Sequence, residues 1–310
     1  MLRGRDLLSI ADLTADELEA LLSAALELKR DPDSSGRALE GQTLALLFEK
    51  PSLRTRVSFD VAMQQLGGHT VYLSQSEVGL GQREPVADVA RVLSRYVQGI
   101  VARTYAQRTL TDLAEHASVP VINALSDDEH PCQALADLLT IRERKGDVRG
   151  VRIAFIGDGN NVAASLVQAS TMAGAHFVIA SPPGYRLTED VMLQAEEFAR
   201  ASGGSFRTIE SPQAAVEEAD VVYTDVWTSM GQEDSYEQRR SAFAAYQVTP
   251  QLMALARSDA IFMHDLPAHR GEETVADVIE GPQSVVFDQA ENRLHAQRAV
   301  LLLLLGGEGS

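Results

Sequence analysis

Two spacings of apolar residues alternate along this chain. In residues 14–30, TADELEALLSAALELKR, leucines recur every three or four positions behind a threonine, the period of a helix with a capped start. After the polar stretch DPDSSGRALEGQ comes TLALLF (43–48), an unbroken apolar run of strand length. KPSLRT reads as a turn, and helical spacing resumes from about Leu53 to Leu66, where Gly67-Gly68 ends it. HTVYL (69–73), GIVAR (99–103) and VPVINA (119–124) read as strands, with VADVARVLSRY and TLTDLAEHA as the helices between them. PCQALADLLTIRERK is a long amphipathic helix, and GDVRG turns into a second series. Its strands are VRIAFIG (151–157), HFVIAS (176–181), ADVVYTDV (219–226), DAIFMHD (259–265) and SVVFD (284–288), followed by a helix over about 289–305.

Strands alternating with helices predict an α/β protein whose sheets are mainly parallel and flanked by helices. A chain of 310 residues suits two domains of about 150 residues each. The turn near residue 145 divides it into 1–145 and 146–310, with the final helix a candidate to return to the first domain.

Composition narrows the function. Hydrophobic residues are 45% and charged residues 23%, enough to bury a core without disulfides. The single cysteine, Cys132, suits a reducing compartment. The start MLRGRDLLSIADLT lacks the apolar stretch of a signal peptide, and Val300–Leu305 is too short to cross a bilayer. The expected location is the cytoplasm, with no membrane partner. A net charge of -17 argues against a nucleic-acid partner, yet a few arginines can still form a positive pocket for a small anion.

Candidate chemistry sits after the strands, where open parallel sheets bind ligands. Ser52-Leu53-Arg54-Thr55-Arg56 opens a helix, so free N–H groups, two hydroxyls and a guanidinium could face a phosphate. Taken alone it is equally a capped helix with surface arginines. Arg103 closes a strand and could add a second cation. His130-Pro131-Cys132-Gln133 precedes a helix; His130 and Gln133 could both donate to a carbonyl oxygen, although a loop histidine is more often structural. Gly157-Asp158-Gly159-Asn160-Asn161 invites a dinucleotide reading. Val162 stands where the third glycine belongs and the next strand ends in Ser181, not an acid. Asn160 or Asn161 instead offers an amide to a small polar ligand. His264, His269, Glu272 and Glu273 cluster without a standard zinc spacing, so no metal is expected.

Together these segments resemble the aspartate/ornithine carbamoyltransferase family. SLRTR is similar to its carbamoyl phosphate motif and HPCQ to its HPxQ motif, in the expected order. DVWTSMGQE, HDLPAHRGEE and FDQAENRLH resemble the loop, the HCLP segment and the closing motif of its ornithine branch. The resemblance covers nearly the whole chain. It implies carbamoyl phosphate binding by the first domain, through Ser52, Leu53, Arg54, Thr55, Arg103, His130, Pro131, Cys132 and Gln133. Gln82 would act from the 79–84 loop and Arg293 from the second domain. Asn161, Asp225, Ser229 and Met230 would bind ornithine, and Asp265 and Leu266 would lie between the two substrates. Arg54, Arg103, His130 and Asp265 would be catalytic. The resemblance implies no cofactor, a homotrimer whose further assembly is open, and carbamoyl transfer to the δ-amine of ornithine in arginine metabolism.

Two positions depart from the family. Asp265 replaces the cysteine of HCLP and brings a negative charge, which favours the protonated, non-nucleophilic amine. Gln82 stands in for a glutamine usually nearer Gly79. Other acceptors, putrescine or N-acetylornithine, remain alternatives, as do a silent family member and a nucleotide-binding oxidoreductase. The broken glycine fingerprint disfavours the last of these.

Overall fold

The apolar runs form strands because a parallel sheet covered on both faces has no side left for polar residues. The computed structural model describes residues 2–229, 231 and 233–307. The chain forms two compact units. One takes the residues up to Leu139 and those from Glu291 onward; the other is Thr140–Ala290.

The first unit holds a parallel sheet of β1 (Thr43–Phe48), β2 (His69–Ser74), β3 (Gly99–Arg103) and β4 (Val121–Leu125), in the order β2-β1-β3-β4. Phe48 is in register with both Ser74 and Arg103, so these strand ends lie on one edge. The strand order reverses between β1 and β3. At such a switch point neighbouring loops diverge and leave a crevice beyond the carboxyl ends. The second unit holds β5 (Arg152–Ile156), β6 (His176–Ala180), β7 (Ser205–Ile209), β8 (Val221–Tyr223) and β9 (Ile261–Met263), also parallel, in the order β7-β6-β5-β8-β9. Its switch point lies between β5 and β8. Each unit has its own apolar core: Ala45, Leu47, Ile100 and Leu110 belong to the first, and Ile156, Val222, Phe243 and Phe262 to the second.

The expected α/β layering is present, with three corrections. SVVFD (284–288) is not a strand. Ser284 makes a single bridge to Phe262, Val285 N–H bonds to Phe262 O at 3.0 Å, and Gln289 N–H already bonds helically to Val285 O. The helix therefore runs Val286–Leu305. A short apolar run fits a buried helix as well as a strand, and here continuity with the following helix decides. Second, SFRTI was not anticipated as β7; it is an edge strand whose alternating polar residues hide it among loops. Third, Arg293 belongs to the first unit, because the chain from Glu291 onward lies there.

Polar ties hold that returning helix. Lys29 Nζ donates to Asn292 Oδ1 at 2.8 Å. Fully buried Arg298 donates to the Pro32 carbonyl and, at 2.7 Å, to Ser35 Oγ. Replacing Arg298 with alanine removes both bonds and leaves a void. The expected loss is on the order of 3 kcal/mol of unfolding free energy, read by urea denaturation; a loss under about 0.5 kcal/mol would show the tie to be dispensable.

Candidate active site

In the first unit, the loops after β1, β3 and β4 are stitched together at the carboxyl edge. Glu49 N–H donates to Arg103 O at 2.8 Å, and the Glu49 carboxylate accepts from Tyr105 N–H at 2.9 Å. Lys50, buried two residues beyond the end of β1, ion-pairs with Asp127 and lies 4.5 Å from the centre of the Tyr105 ring. Glu129, just before His130, accepts from Ser9 Oγ and Ile10 N–H, which fixes that loop to the N-terminal segment.

On this frame Ser52 caps the helix Leu53–Gln65, its hydroxyl accepting from Thr55 N–H at 3.3 Å. Thr55 is fully buried, and its Oγ1 accepts from Arg293 Nη2 at 2.7 Å, leaving the Thr55 hydroxyl proton to donate elsewhere. Arg103 is only 5% exposed, and Arg54 is half-buried at the helix start. Burial, and then the guanidinium charges of Arg293, Arg103 and Arg54, hold the His130 imidazole well below its ordinary pKa. The ring is therefore neutral at physiological pH and can donate one N–H. Pro131 opens the helix Pro131–Lys145, where Gln133 Nε2 bonds to Asp137 Oδ1 at 2.8 Å. Gln133 Oε1 is buried with no hydrogen-bond partner among the described residues. Burial pushes the Cys132 thiol up to about 12, so it is no nucleophile. Three cations, a helix N-terminus and a neutral imidazole form a site for an anion attached to a carbonyl.

The second unit gathers the opposite charge. Asn160 caps the helix Asn161–Met172 by accepting from Val162 and Ala163 N–H, and its Nδ2 donates to Asp225 Oδ2 at 2.6 Å. Burial, and then the nearby Asp265 carboxylate, raise the Asp225 carboxyl well above its usual range. His264 Nε2 lies 3.1 Å from Glu273 Oε1, and Nδ1 lies 3.4 Å from Asp265 Oδ1. Burial lowers the His264 pKa, but Asp265, Glu273 and Asp225 outweigh it and pull it up to about 10. Against that, Leu266 N–H donates to Nδ1 at 2.9 Å, which requires a lone pair there. The Leu266 bond fixes the tautomer, with the Nε2 proton facing Glu273, while Asp265 and Glu273 keep the ring's proton affinity high. Ligand atoms of Asp225, His264 and Asp265 lie within 4.8 Å of one another, and hydrogen bonding with a shared proton accounts for that closeness without a metal.

Comparison with known proteins decides the family. Residues 5–143 match the aspartate/ornithine carbamoyltransferase carbamoyl-P binding domain, and residues 149–304 match the Asp/Orn binding domain of the same family. The chain belongs to the aspartate/ornithine carbamoyltransferase family. It is 56% identical to the ornithine carbamoyltransferase of Pyrococcus abyssi, over 99% of this chain and 97% of that protein. The solved ornithine carbamoyltransferase of Pyrococcus furiosus superposes with a TM-score of 0.96 at 55% identity, covering 99% of this chain and 98% of that one. The Thermus thermophilus ornithine carbamoyltransferase gives 0.87 at 48% identity, over 97% and 98%.

The structure brings together some of the residues singled out by family resemblance and not others. Arg54, Thr55, Arg103, His130 and Arg293 converge in the first unit, and Asp225 and Asp265 meet in the second. Leu53 points outward, 76% exposed, so only its backbone lies at the helix start. Gln82 is exposed in the turn closed by the Leu80–Glu84 bridge. Asn161 directs its side chain to Val162 N–H, while its neighbour Asn160 contacts Asp225. Ser229 is half-buried and Leu266 adopts φ 59°, left-handed for a leucine. Met230 lies outside the described residues. Lys50 was missed as a site-forming residue, and of the two asparagines read as alternatives it is Asn160 that contacts Asp225. A lysine two residues past the apolar strand, at its carboxyl end, was the available signal.

Thr55→Val tests the frame directly. It keeps the shape but takes the acceptor from a buried guanidinium, so the fold should lose about 1.5–3 kcal/mol in urea unfolding. An unchanged midpoint would mean that Arg293 does not depend on Thr55.

Proposed function

We propose that this chain transfers the carbamoyl group of carbamoyl phosphate to the δ-amine of L-ornithine, giving L-citrulline and phosphate. The observation that carries the reading is the convergence of Arg54, Arg103 and Arg293 on a neutral His130. The likeness to proteins named ornithine carbamoyltransferase supplies the acceptor. The first unit binds carbamoyl phosphate through Ser52, Leu53, Arg54, Thr55, Arg103, His130, Pro131, Cys132, Gln133 and Arg293, with Gln82 contributing from its loop. The second unit binds ornithine through Asn161, Asp225, Ser229 and Met230, with Asp265 and Leu266 beside the reacting groups. A homotrimer in the cytoplasm is the proposed state, supported by the family resemblance and by a buried thiol suited to a reducing compartment. Citrulline formation for arginine synthesis is the proposed direction, as for the relative in Pyrococcus furiosus named anabolic.

The chemistry follows from the charges. The neutral δ-amine attacks the carbamoyl carbon, a tetrahedral oxyanion forms, and phosphate leaves. The leaving group gains negative charge, and Arg54, Arg103 and the helix N-terminus offset it. The His130 N–H and the Thr55 hydroxyl donate to the carbonyl oxygen as it becomes an oxyanion. A neutral imidazole suits this role because it donates without a second formal charge beside three guanidinium groups. Before attack the δ-ammonium loses one proton, and the carboxyl pair Asp225–Asp265 sets how readily it does so; after attack the nitrogen loses a second proton to the leaving phosphate, which departs as hydrogen phosphate.

Purified protein should form citrulline from carbamoyl phosphate and ornithine, and should not use putrescine, N-acetylornithine or aspartate comparably. Turnover with another amine alone would move the acceptor assignment. Arg54→Ala should remain folded and lose about 3–4 kcal/mol of transition-state stabilisation, a hundredfold or more in rate; near-normal turnover would refute its role.

Asp265 gives a pH prediction with a definite sign. Its negative charge raises the Asp225 pKa, so replacing it lowers that pKa. If ornithine is held by ionised Asp225, the acid limb of the kcat/KM profile should move to lower pH in Asp265→Cys. Superimposable pH–rate profiles for the two proteins would sink the idea.

A further inference from the structure

Arg239 takes no part in the mechanism above, yet it is only 7% exposed. It stands in the helix Tyr236–Phe243 of the second unit. One end of its guanidinium donates to the Asp158 carboxylate, and Nε–H donates to the main-chain carbonyl of Trp227. Its plane lies 4.9 Å from the centre of the Tyr185 ring and 5.6 Å from that of Phe243. Three strand-end segments therefore meet on one side chain: the turn after β5 through Asp158, the segment after β6 through Tyr185, and the segment after β8 through Trp227. Two of them are also joined directly, since Gly159 N–H donates to Tyr185 O at 2.8 Å. A Cβ at Gly159 would overlap the backbone of Arg186 and Leu187, so these segments pass too closely for any other residue there.

Asp158 precedes Asn160 by two residues, and Trp227 follows Asp225 by two. Asn160 and Asp225 are the pair whose side chains bond at 2.6 Å. Arg239 grips the chain next to each of them, across the switch point of the sheet. We propose that Arg239 is a positioning residue: by binding Asp158 and the Trp227 carbonyl together, it fixes the spacing of Asn160 and Asp225 and so shapes the site for the acceptor amino acid. The inference rests on the functional reading above and extends it to a residue that touches no substrate.

The chemistry of the group supports this role. A guanidinium is a rigid planar fork that can hold two acceptors at a set angle, and a lysine ammonium cannot. A buried ion pair gives little net stability over well-packed apolar residues, because removing two charges from water costs so much. Burial accordingly pushes the Asp158 carboxyl up to about 6 even beside Arg239. What the pair supplies is direction, and the two segments it directs carry the acceptor-binding side chains.

The test is steady-state kinetics on the full-length Arg239→Lys and Asp158→Asn variants, varying each substrate in turn. The KM for ornithine should rise about tenfold in each, while kcat falls less than about threefold and the KM for carbamoyl phosphate stays within about twofold. The double variant should be no worse than the more affected single one, since the two side chains act as one unit. Asp158→Asn preserves shape and decides the matter if Arg239→Lys does not fold. An unchanged ornithine KM in a folded variant overturns the proposal, as does an equal rise for both substrates, which is what a merely structural role would produce. If the parent does not use ornithine at all, the functional reading fails, and this proposal with it. If the parent uses ornithine and the variants match it, only the positioning role fails.

Discussion

Like charges gathered in a small space repel, and each unit of this protein must hold such a gathering in place. In the first unit three guanidinium groups act on one buried imidazole. That arrangement costs free energy until an anion arrives, so the frame has to be stiffer than the repulsion is strong. Stiffness comes from the sheet, whose strand ends stay in register, and from ties between the loops beyond them. Lys50, Glu49 and Glu129 each bind a neighbouring loop or the N-terminal segment. Preorganised charge of this kind acts on a transition state without reorganising at the moment of reaction.

The second unit presents the inverse case. Asp225 and Asp265 are neighbouring carboxyls in a dry setting, and their repulsion is relieved by a proton instead of a counter-ion. His264 lies beside them, bound on its other side to fully buried Glu273. A cysteine at position 265, as the family motif has it, would carry no such charge at neutral pH unless its thiol were strongly perturbed. The departure therefore alters proton affinity more than shape.

The parts legible from sequence were those in which one local pattern dominates. TLALLF is apolar from Leu44 on and forms β1 at its expected limits, 43–48, because a strand buried on both faces has no competing period. The SLRTR turn was legible because capping and charge agree at one helix start. SFRTI was missed because an edge strand carries polar residues that read as loop, and SVVFD was misread because five apolar-rich residues fit either period. Arg293 was assigned to the wrong unit for a different reason. Its side chain reaches Thr55, 238 residues earlier in the chain; the final helix was a candidate to return, but no local pattern names that partner. The pairing of Arg239 with Asp158 was invisible in the same way, since 81 residues separate them.

Charge sorting then follows from topology. Both sheets reverse strand order once, and the chemically capable loops flank the reversal in each. In the first unit those loops carry arginines and a helix N-terminus; in the second they carry aspartates and an asparagine cap. An anionic ligand would be repelled by the second unit's set and a cationic one by the first unit's, so each set favours one sign of ligand and disfavours the other. A net charge of -17 has little bearing on this sorting. Surface charges are screened within about 10 Å in salt water, whereas buried groups at the strand ends are screened far less. The sign that a ligand meets is set by the half-dozen side chains the fold has taken out of water, not by the sum over the chain.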